Sequence, residues 1–342
     1  MKVMVTGNLG YIGSVLVPML NMKNYHTVGY DTGYFSDNIL GDNPKDIQTI
    51  NKDIREVNIQ DLNGINGIIH LAGLSNDPLG ELSPEFTYGI NLMATVKLAK
   101  LAKEAGVKRF VYASSQSMYG ISNSGKELDE DNSEKNPVTT YAITKWEAEL
   151  ELMKMHSDDF VVVCFRPSTV FGASPRLRCD IVYNNFVACA YTTGKIEILS
   201  DGTPWRPVVH VKDVCQAFMA GLEAPSALVG GKAFNVGIPN GNFTVRNLAE
   251  AAKNCVPGCE LVFLNEHTDP RTYRVSFNRI LNELSDYYQP AWNLDKGGKE
   301  LVEYFDKVNL TEDDYRGVKC NRLKQLEFLK TKNRLNDELK WL

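Results

Sequence analysis

The sequence predicts an α/β fold, a doubly wound parallel sheet followed by a smaller α/β lobe. Three observations support this prediction: short β-rich runs alternate with helical patterns in the first half, one strand leads directly into a glycine-rich turn and a helix, and Pro and Gly punctuate the second half. The predicted strands are residues 2–6, 26–30, 47–50, 67–70, 109–113 and 160–165. The predicted helices are residues 11–20, 84–105 and 140–155, the second with Ser83 as its cap and Pro84 at the first helical position.

The change of pattern near residue 166 divides the chain into three predicted segments. Residues 1–166 form the sheet domain, residues 167–310 form mainly the smaller lobe with returns to the sheet, and residues 311–342 form a helical tail. The tail is charged and rich in Lys and Leu, which predicts a terminal helix packed on the surface.

Composition and charge narrow the class of protein. The chain has 342 residues, of which 43% are hydrophobic, so it can bury a large core. Its net charge of -5 argues against a nucleic-acid partner held by a broad basic surface. The N-terminus lacks a long apolar core and no apolar stretch approaches bilayer length, so we expect a cytoplasmic protein without a membrane partner. Seven cysteines without a CxxC pair favour reduced core thiols, and we predict no metal site.

A glycine-rich turn follows the first predicted strand. Gly7, Gly10 and Gly13 have GxxGxxG spacing and stand between this strand and a helix. Glycines at these places permit a tight turn, close approach of the backbone to a pyrophosphate and close packing of helix on strand, while the helix N-terminus offers free N–H groups. The motif in this context predicts a Rossmann-type dinucleotide site.

Asp31 follows Gly13 by 18 residues, at the end of the second predicted strand. A carboxylate there accepts hydrogen bonds from an adenosine ribose and repels the 2′-phosphate of NADP, and no Arg sits beside it in Asp31-Thr32-Gly33. The sequence therefore predicts NAD as the cofactor. The contacts predicted from this region are Gly7, Leu9, Gly10, Tyr11, Ile12, Gly13, Asp31 and Thr32.

Over residues 1–310 the chain resembles the extended short-chain dehydrogenases, the family of nucleotide-sugar epimerases and dehydratases. Segment 6–13 is similar to the TGxxGxxG of that family, Asp53-Ile54 to its acidic-hydrophobic pair over the adenine, and segment 70–73 (HLAG) to its stretch along the nicotinamide side. The resemblance implies further cofactor contacts from Asp53, Ile54, Leu71, Ala72, Gly73, Asn91 and Pro167.

Tyr141 and Lys145 form a YxxxK pair. Residues four apart share one face of a helix, so the ammonium can lie near the phenol and lower its pKa from about 10, which provides a base for hydride chemistry. The resemblance implies that both residues also contact the cofactor. It also places a hydroxyl residue four positions before the Tyr of a Tyr-Gly pair, which is Ser115 here, and its neighbours Ser114 and Ser117 stay open as alternatives.

The two residues after Ser115 bear on the reaction. By resemblance, relatives that eliminate water have Asp-Glu there, because removal of the C6 hydroxyl needs a general acid and proton abstraction at C5 needs a base. Gln116 and Ser117 supply no carboxyl group. The sequence therefore disfavours 4,6-dehydration, disfavours decarboxylation likewise, and favours reversible hydride transfer at C4 of a nucleoside-diphosphate sugar.

Arginines of the second half are predicted to bind the diphosphate of that substrate, since a guanidinium meets phosphate oxygens with a fork of donors. By resemblance, Arg206 matches the family arginine, although Pro207 replaces the usual Asp, and Asn185 or its neighbour Asn184 matches an Asn of the same site. Thr169 stands where many relatives have Asn, which suggests an unusual hexose, a heptose or another modified sugar. The predicted substrate contacts are Ser115, Gln116, Ser117, Thr169, Arg176, Asn185, Arg206 and Arg271; for Arg176, Arg178 and Arg274 a surface ion pair fits equally well.

The leading interpretation is an NAD-dependent nucleotide-sugar 4-epimerase. A 4-dehydrogenase or a 4-keto-sugar reductase would use the same Ser115, Tyr141 and Lys145 and stays open, while a 4,6-dehydratase fits less well. A non-catalytic NAD-sensing protein would usually lose the Tyr or the Lys, and this chain keeps both. The resemblance also implies a homodimer that forms through the predicted helices 84–105 and 140–155.

Overall fold

The chain folds around one large parallel sheet. The computed structural model describes residues 1–42, 47–122, 126–264, 266 and 272–342. In these residues the strands are β1 (Lys2–Thr6), β2 (His26–Asp31), β3 (Thr49–Asn51), β4 (Gly67–His70), β5 (Arg109–Ala113), β6 (Glu127–Leu128), β7 (Val161–Pro167), β8 (Thr169–Phe171), β9 (Lys195–Ile198), β10 (Trp205–His210), β11 (Lys232–Val236), β12 (Asn242–Thr244), β13 (Glu260–Phe263) and β14 (Arg274–Val275).

Helices cover the sheet and make up much of the second half. They are α1 (Gly13–Met22), α2 (Asp77–Leu82), α3 (Pro84–Thr87), α4 (Ala94–Glu104), α5 (Thr140–Met155), α6 (Val182–Thr193), α7 (Val211–Glu223), α8 (Ser226–Val229), α9 (Val245–Cys255), α10 (Asn278–Glu283), α11 (Leu294–Val308), α12 (Glu312–Arg316) and α13 (Arg322–Thr331). A π-helix, Tyr88–Met93, joins α3 to α4. Pro84 lies in the first turn as predicted, but the Ser83 side chain makes no capping bond. None of the helices in the described ranges is long and apolar enough to cross a membrane.

The large sheet has the strand order β11-β7-β5-β4-β1-β2-β3, and every neighbouring pair is parallel. The chain runs from β1 outward to β3 on one side and then returns to β4 on the other side of β1. Ligands of such sheets bind at the carboxyl ends of the strands beside this reversal. The predicted α/β class and the Rossmann-type sheet are confirmed.

The central strands are buried on both faces, which is why they read as continuous apolar runs. In β7, Val163 and Phe165 pack into one hydrophobic core, while Val162 and Cys164 pack into a second core on the opposite face. Each of these four side chains is fully buried. The alternation of side chains along the strand therefore joins two cores through one sheet.

Strands of the second half complete the large sheet and form smaller ones. β11 pairs with β7 at the sheet edge. The other strands form the small sheets β12-β10-β8, β13-β9 and β14-β6, and helices α6, α9 and α11 pack on one another. Because β14 pairs with β6, the two halves of the chain are also joined there.

The tail, residues 311–342, contains α12 and α13 and is more deeply packed than the sequence predicts. Leu326 and Leu329 contribute to one hydrophobic core, and Arg322 is only 2% exposed. The tail has the predicted terminal helix packed on the surface, since α13 buries one face and exposes the other, and the tail also packs against the loop that follows β2.

A buried ion pair ties α5 to β7. Arg166 Nη2 lies 2.5 Å from Glu149 Oε1, and both side chains are at most 3% exposed. Ser114 Oγ donates to the second carboxylate oxygen at 2.5 Å, and Arg166 Nη1 donates to the Tyr119 hydroxyl at 3.0 Å. A buried pair of this kind is tolerated only when the remaining donors and acceptors are also bonded, as they are here.

We predict that Glu149→Ala lowers the free energy of unfolding by about 3–5 kcal/mol, because the Arg166 guanidinium then stays buried without its carboxylate. Denaturant unfolding monitored by circular dichroism measures the change. Glu151→Ala is the matched control: Glu151 lies on the same helix, its side chain is 44% exposed, and it pairs with Lys154 at the surface. The control should shift the free energy by less than about 0.5 kcal/mol. Equal effects of the two substitutions would contradict the prediction.

Candidate active site

A cavity of about 440 Å³ opens at the carboxyl ends of the strands on both sides of the reversal between β1 and β4. Many of the site residues predicted from the sequence lie in its wall. They are Gly7, Gly10, Tyr11, Ile12, Gly13, Asp31, Thr32, Asp53, Ile54, Leu71, Ala72, Gly73, Ser115, Gln116, Ser117, Tyr141, Lys145, Pro167, Thr169 and Arg206. The predicted residues Leu9, Asn91, Arg176 and Asn185 lie behind this wall, and Arg271 lies outside the described residues.

The glycine turn after β1 leaves no space for side chains on the protein side. Gly7 has φ +73°, and a Cβ there would lie 2.8 Å from the Ala72 nitrogen. A Cβ on Gly13 would lie 2.4 Å from the Gly7 carbonyl oxygen. The turn therefore packs directly on the segment after β4, and its backbone is exposed to the cavity.

Asp31 connects the glycine turn to the loop after β2. Its carboxylate accepts hydrogen bonds from the Leu9 N–H at 3.0 Å and the Gly33 N–H at 2.8 Å. This explains the position of Leu9, which contributes its backbone amide rather than its side chain. Burial raises the pKa of Asp31, and these two amides together with the distant Arg176 and Arg322 oppose that rise. The fold thus brings to Asp31 the arginines that are absent from its sequence neighbourhood.

Asn91 holds the segment after β4 from behind. Its amide accepts from the Leu74 N–H at 2.8 Å and donates to the Leu74 carbonyl at 3.0 Å. A Cβ on Gly73 would lie 2.9 Å from the Asn91 amide oxygen. Asn91 therefore supports the segment that carries Leu71, Ala72 and Gly73, and its direct contact with the cofactor stays a prediction.

Ser115, Tyr141 and Lys145 meet at one part of the cavity. Ser115 follows β5 and caps the short 3₁₀ turn Gln116–Tyr119, where its hydroxyl accepts from the Ser117 N–H at 3.1 Å. Tyr141 lies in the first turn of α5, and its hydroxyl is hydrogen-bonded to that of Ser115. Lys145 lies one turn further along α5, as the spacing predicts.

Burial controls the ionisation of this group. It raises the pKa of Tyr141, and the hydrogen bond with Ser115 opposes the rise. It also lowers the pKa of Lys145 to about 8. The Lys145 ammonium donates to the Ala113 carbonyl at 2.8 Å and lies 4.9 Å from the centre of the Tyr112 ring. The predicted lowering of the Tyr141 pKa by Lys145 is wrong for this arrangement, because burial outweighs the other influences.

The side chains after Ser115 are engaged by the fold. Gln116 is 1% exposed; its amide donates to the Arg166 carbonyl at 2.9 Å and accepts from the Ser168 hydroxyl at 3.1 Å. The Ser117 hydroxyl lies 2.8 Å from that of Ser115. Positions 116 and 117 therefore bring a neutral amide and a hydroxyl to the wall and no carboxyl group.

Two of the predicted substrate contacts, Arg176 and Asn185, are hydrogen-bonded to backbone groups of the protein. Arg176 Nε donates to the Phe35 carbonyl at 3.3 Å, which fastens the loop after β2. Asn185 donates to the Cys179 carbonyl at 2.9 Å, and the alternative residue Asn184 accepts from the Gly172 N–H at 2.9 Å. Both Asn side chains thus shape the segment between β8 and α6.

Further charged residues of the wall are Arg178, for which the sequence left a phosphate contact and an ion pair open, and Asp77 and Asp180, which the sequence did not single out. Arg178 binds Asp180 through two bonds of 2.9 and 3.0 Å and also donates to the Ser75 hydroxyl at 3.0 Å. Asp77 accepts from the Thr139 hydroxyl at 2.7 Å and raises the pKa of Tyr141. The only local signal for Asp77 was its place before a proline at a helix start.

A family model described as the NAD dependent epimerase/dehydratase family matches residues 3–237. The chain belongs to this family. It is 28% identical over 332 residues to UDP-glucuronic acid decarboxylase 1 of Arabidopsis thaliana (93% of this chain, 73% of the relative) and 30% identical over 253 residues to the UDP-glucose 4-epimerase of Mycolicibacterium smegmatis (69% and 77%).

Solved structures agree in fold. The UDP-glucose 4-epimerase of Thermotoga maritima, solved with UDP-glucose, has a TM-score of 0.78 at 23% identity, over 91% of this chain and 100% of that one. MoeE5 in complex with UDP-glucuronic acid and NAD has a TM-score of 0.76 at 25% identity, over 90% and 99%. NAD is the cofactor of this epimerase/dehydratase. The wall fits it, because the glycine turn exposes its backbone and Asp31 lies at the end of β2 where an adenosine ribose binds.

We predict that Asp31→Ala narrows the preference for NAD over NADP, because the carboxylate that repels a 2′-phosphate is removed while Arg176 and Arg322 remain nearby. Calorimetric titration of each dinucleotide measures the ratio of dissociation constants. Asp37→Ala, an exposed carboxylate on the same loop, is the control and should leave the ratio unchanged. A wild-type protein that binds NADP as tightly as NAD would contradict the assignment to Asp31.

Proposed function

We propose that this family member is a nucleotide-sugar 4-epimerase that moves a hydride at C4 of a nucleoside-diphosphate sugar. The observation that supports this most directly is the meeting of Ser115, Tyr141 and Lys145 in a wall where positions 116 and 117 carry no carboxyl group. Such a site has a proton acceptor and a hydroxyl donor, which oxidation and reduction of a ring hydroxyl require.

In the proposed mechanism, the Ser115 hydroxyl binds the C4 oxygen, and the Tyr141 phenolate takes the proton of the C4 hydroxyl. The chemistry that bound NAD would supply is reversible acceptance of the C4 hydride, and the glycine turn and Asp31 would hold it. The hydrogen bond with Ser115 favours the phenolate against burial, and Lys145, held by the Ala113 carbonyl at 2.8 Å, lies one turn further along α5. Tyr141 then returns its proton to the C4 oxygen when the hydride is delivered to the opposite face. In this proposal Arg206, which lines the wall, binds the diphosphate.

Net 4-oxidation or 4-keto reduction uses the same three residues and differs only in whether the keto sugar leaves. A 4,6-dehydratase is a second candidate because Asp77 brings a carboxyl group into the wall close enough to affect Tyr141. The human dTDP-D-glucose 4,6-dehydratase is also among the relatives, with 29% identity over 248 residues. One oxygen of the Asp77 carboxyl group already accepts a hydrogen bond from the Thr139 hydroxyl at 2.7 Å.

We further propose a homodimer formed through the helices around α4 and α5. Tyr88, Met93 and Leu150 on these packed helical segments are 36%, 65% and 41% exposed. Apolar side chains exposed on neighbouring helices favour an isologous contact across a two-fold axis. We expect light scattering at micromolar concentration to give the mass of two chains, and Met93→Glu to give the mass of one. A wild-type mass of one chain would contradict this proposal.

We predict that Tyr141→Phe loses activity by about 10²–10⁴-fold and still binds NAD, because it removes the proton acceptor and leaves the cofactor wall intact. Mass spectrometry of the wild-type product defines the reaction. An unchanged mass means epimerisation, loss of two hydrogens means net oxidation, and loss of water means dehydration. Thr144→Ser on the same helix is the control. Full activity of Tyr141→Phe would contradict the role of Tyr141.

The same assay tests Asp77. We expect Asp77→Asn to retain epimerisation within about tenfold, since hydride transfer needs no carboxyl acid at this place. A dehydrated wild-type product that disappears in Asp77→Asn would show that Asp77 is the general acid and that the second candidate is correct.

A further inference from the structure

The tail is fastened to the loop after β2, which lines the adenosine end of the cavity. Trp341 Nε1 donates to the Thr32 carbonyl at 2.6 Å, and Gln325 donates to the Tyr34 carbonyl at 3.2 Å. The Tyr34 hydroxyl donates in turn to the carbonyl of Leu339. Thr32 and Tyr34 both lie in the cavity wall. The tail therefore supports the side of the site that begins at Asp31.

Arg322, the first residue of α13, reaches the cavity from this tail. It is 2% exposed and lies in the cavity wall. Its Nη2 donates to the Arg176 carbonyl at 2.7 Å, and its guanidinium carbon lies 4.8 Å from the centre of the Phe35 ring. Its Nη1 is buried and has no hydrogen-bond partner among the described residues. A buried donor of a charged group is costly to leave unbonded, so this nitrogen is a site for an acceptor.

The charges around Arg322 favour an anion. Burial and the neighbouring Arg178 lower the pKa of Arg322 to about 10, although Asp180 opposes this. Asp180 is already bonded twice by Arg178 and also accepts from the Arg322 N–H. Asp31 accepts two backbone amides. The positive charge of Arg322 is therefore not matched by a carboxylate of its own.

We propose that Arg322 binds a phosphate oxygen of the pyrophosphate of NAD, so that the tail is part of the cofactor site. The guanidinium directly contacts the Phe35 ring and the Arg176 carbonyl and acts on the charge of Asp31, whereas Thr169 and Arg206 line the wall in the substrate lobe. A guanidinium stacked on an aromatic ring and held by one carbonyl presents its remaining donors in a fixed direction. The proposal depends on the cofactor and not on the proposed reaction.

Arg322→Met tests the proposal, because Met fills similar space without charge. We expect the dissociation constant of NAD, measured by calorimetry, to rise about 10- to 100-fold, which is the usual effect of losing a charged hydrogen bond. We expect the melting temperature without NAD to be no lower than that of the wild type, because a buried charge without a full set of partners is removed. Arg316→Met is the control: Arg316 lies on the same tail, exposed and paired with Glu312, and should change neither value.

Other ligands separate the proposed role from its alternatives. ADP should lose affinity as NAD does, and adenosine, which has no phosphate, should bind the wild type and Arg322→Met equally. Equal losses for adenosine and NAD would show that Arg322 only supports the wall, and a loss for NADP but not for NAD would place it at a 2′-phosphate. A loss for UDP alone would assign it to the nucleotide sugar. Any of the last three results would overturn the proposal.

Arg322→Lys keeps the positive charge but loses the planar set of guanidinium donors. It serves as the test variant if Arg322→Met does not fold. It should weaken NAD binding less than Arg322→Met does. Unchanged NAD affinity in a folded Arg322→Lys and in Arg322→Met would also overturn the proposal.

Discussion

The buried pair of Glu149 and Arg166 is the interaction on which the geometry of the site depends. Glu149 lies one turn beyond Lys145 on α5, and Arg166 lies at the end of β7, so their contact fixes the helix against the sheet. Ser114, bonded to the same carboxylate, directly precedes Ser115. The three side chains of the proposed triad are thus held by a polar network behind them, and this network must be fully bonded because water does not reach it.

Burial also sets the chemistry of these residues. Burial disfavours the charged forms of both groups, the phenolate of Tyr141 and the ammonium of Lys145, so the pKa of Tyr141 rises while that of Lys145 falls. Both shifts disfavour charge, and the hydrogen bond with Ser115 opposes the shift of Tyr141. A positively charged nicotinamide beside this pair would favour the phenolate, which couples cofactor binding to proton transfer.

The sequence predicted the parts of the fold whose signals are local. β1, β4, β5 and α5 have the predicted bounds, because a buried parallel strand is a short apolar run between polar punctuation, and a YxxxK helix has periodic apolar faces. The glycine turn and Asp31 were predictable for the same reason, since strand, turn and helix follow one another directly. The predicted ends of a strand are wrong where pairing with an adjacent strand sets them. β3 begins two residues later than predicted, at the residue where its pairing with β2 begins.

The rest of the site could not be read from the sequence, because it is assembled from distant segments. Arg178 donates to Ser75, which is 103 residues away in the chain, and Asn91 and Arg176, predicted as ligand contacts, bond backbone groups of other segments. No sequence pattern predicts that the guanidinium of Arg322 lies near Asp31, because the two residues are far apart in the chain.

The charges at the adenosine end of the cavity show how a buried Arg322 can be tolerated there. Arg178 and Asp180 form an ion pair with no net charge, so neither side chain needs a charged ligand to balance it. Arg322 is different: its burial lowers stability unless an anion completes its bonds. Binding of the anion would offset this loss of stability, because a ligand that binds only the folded chain raises the free energy of unfolding. The tail then links folding to cofactor occupancy, since the same contacts that bury Arg322 also fasten the loop after β2.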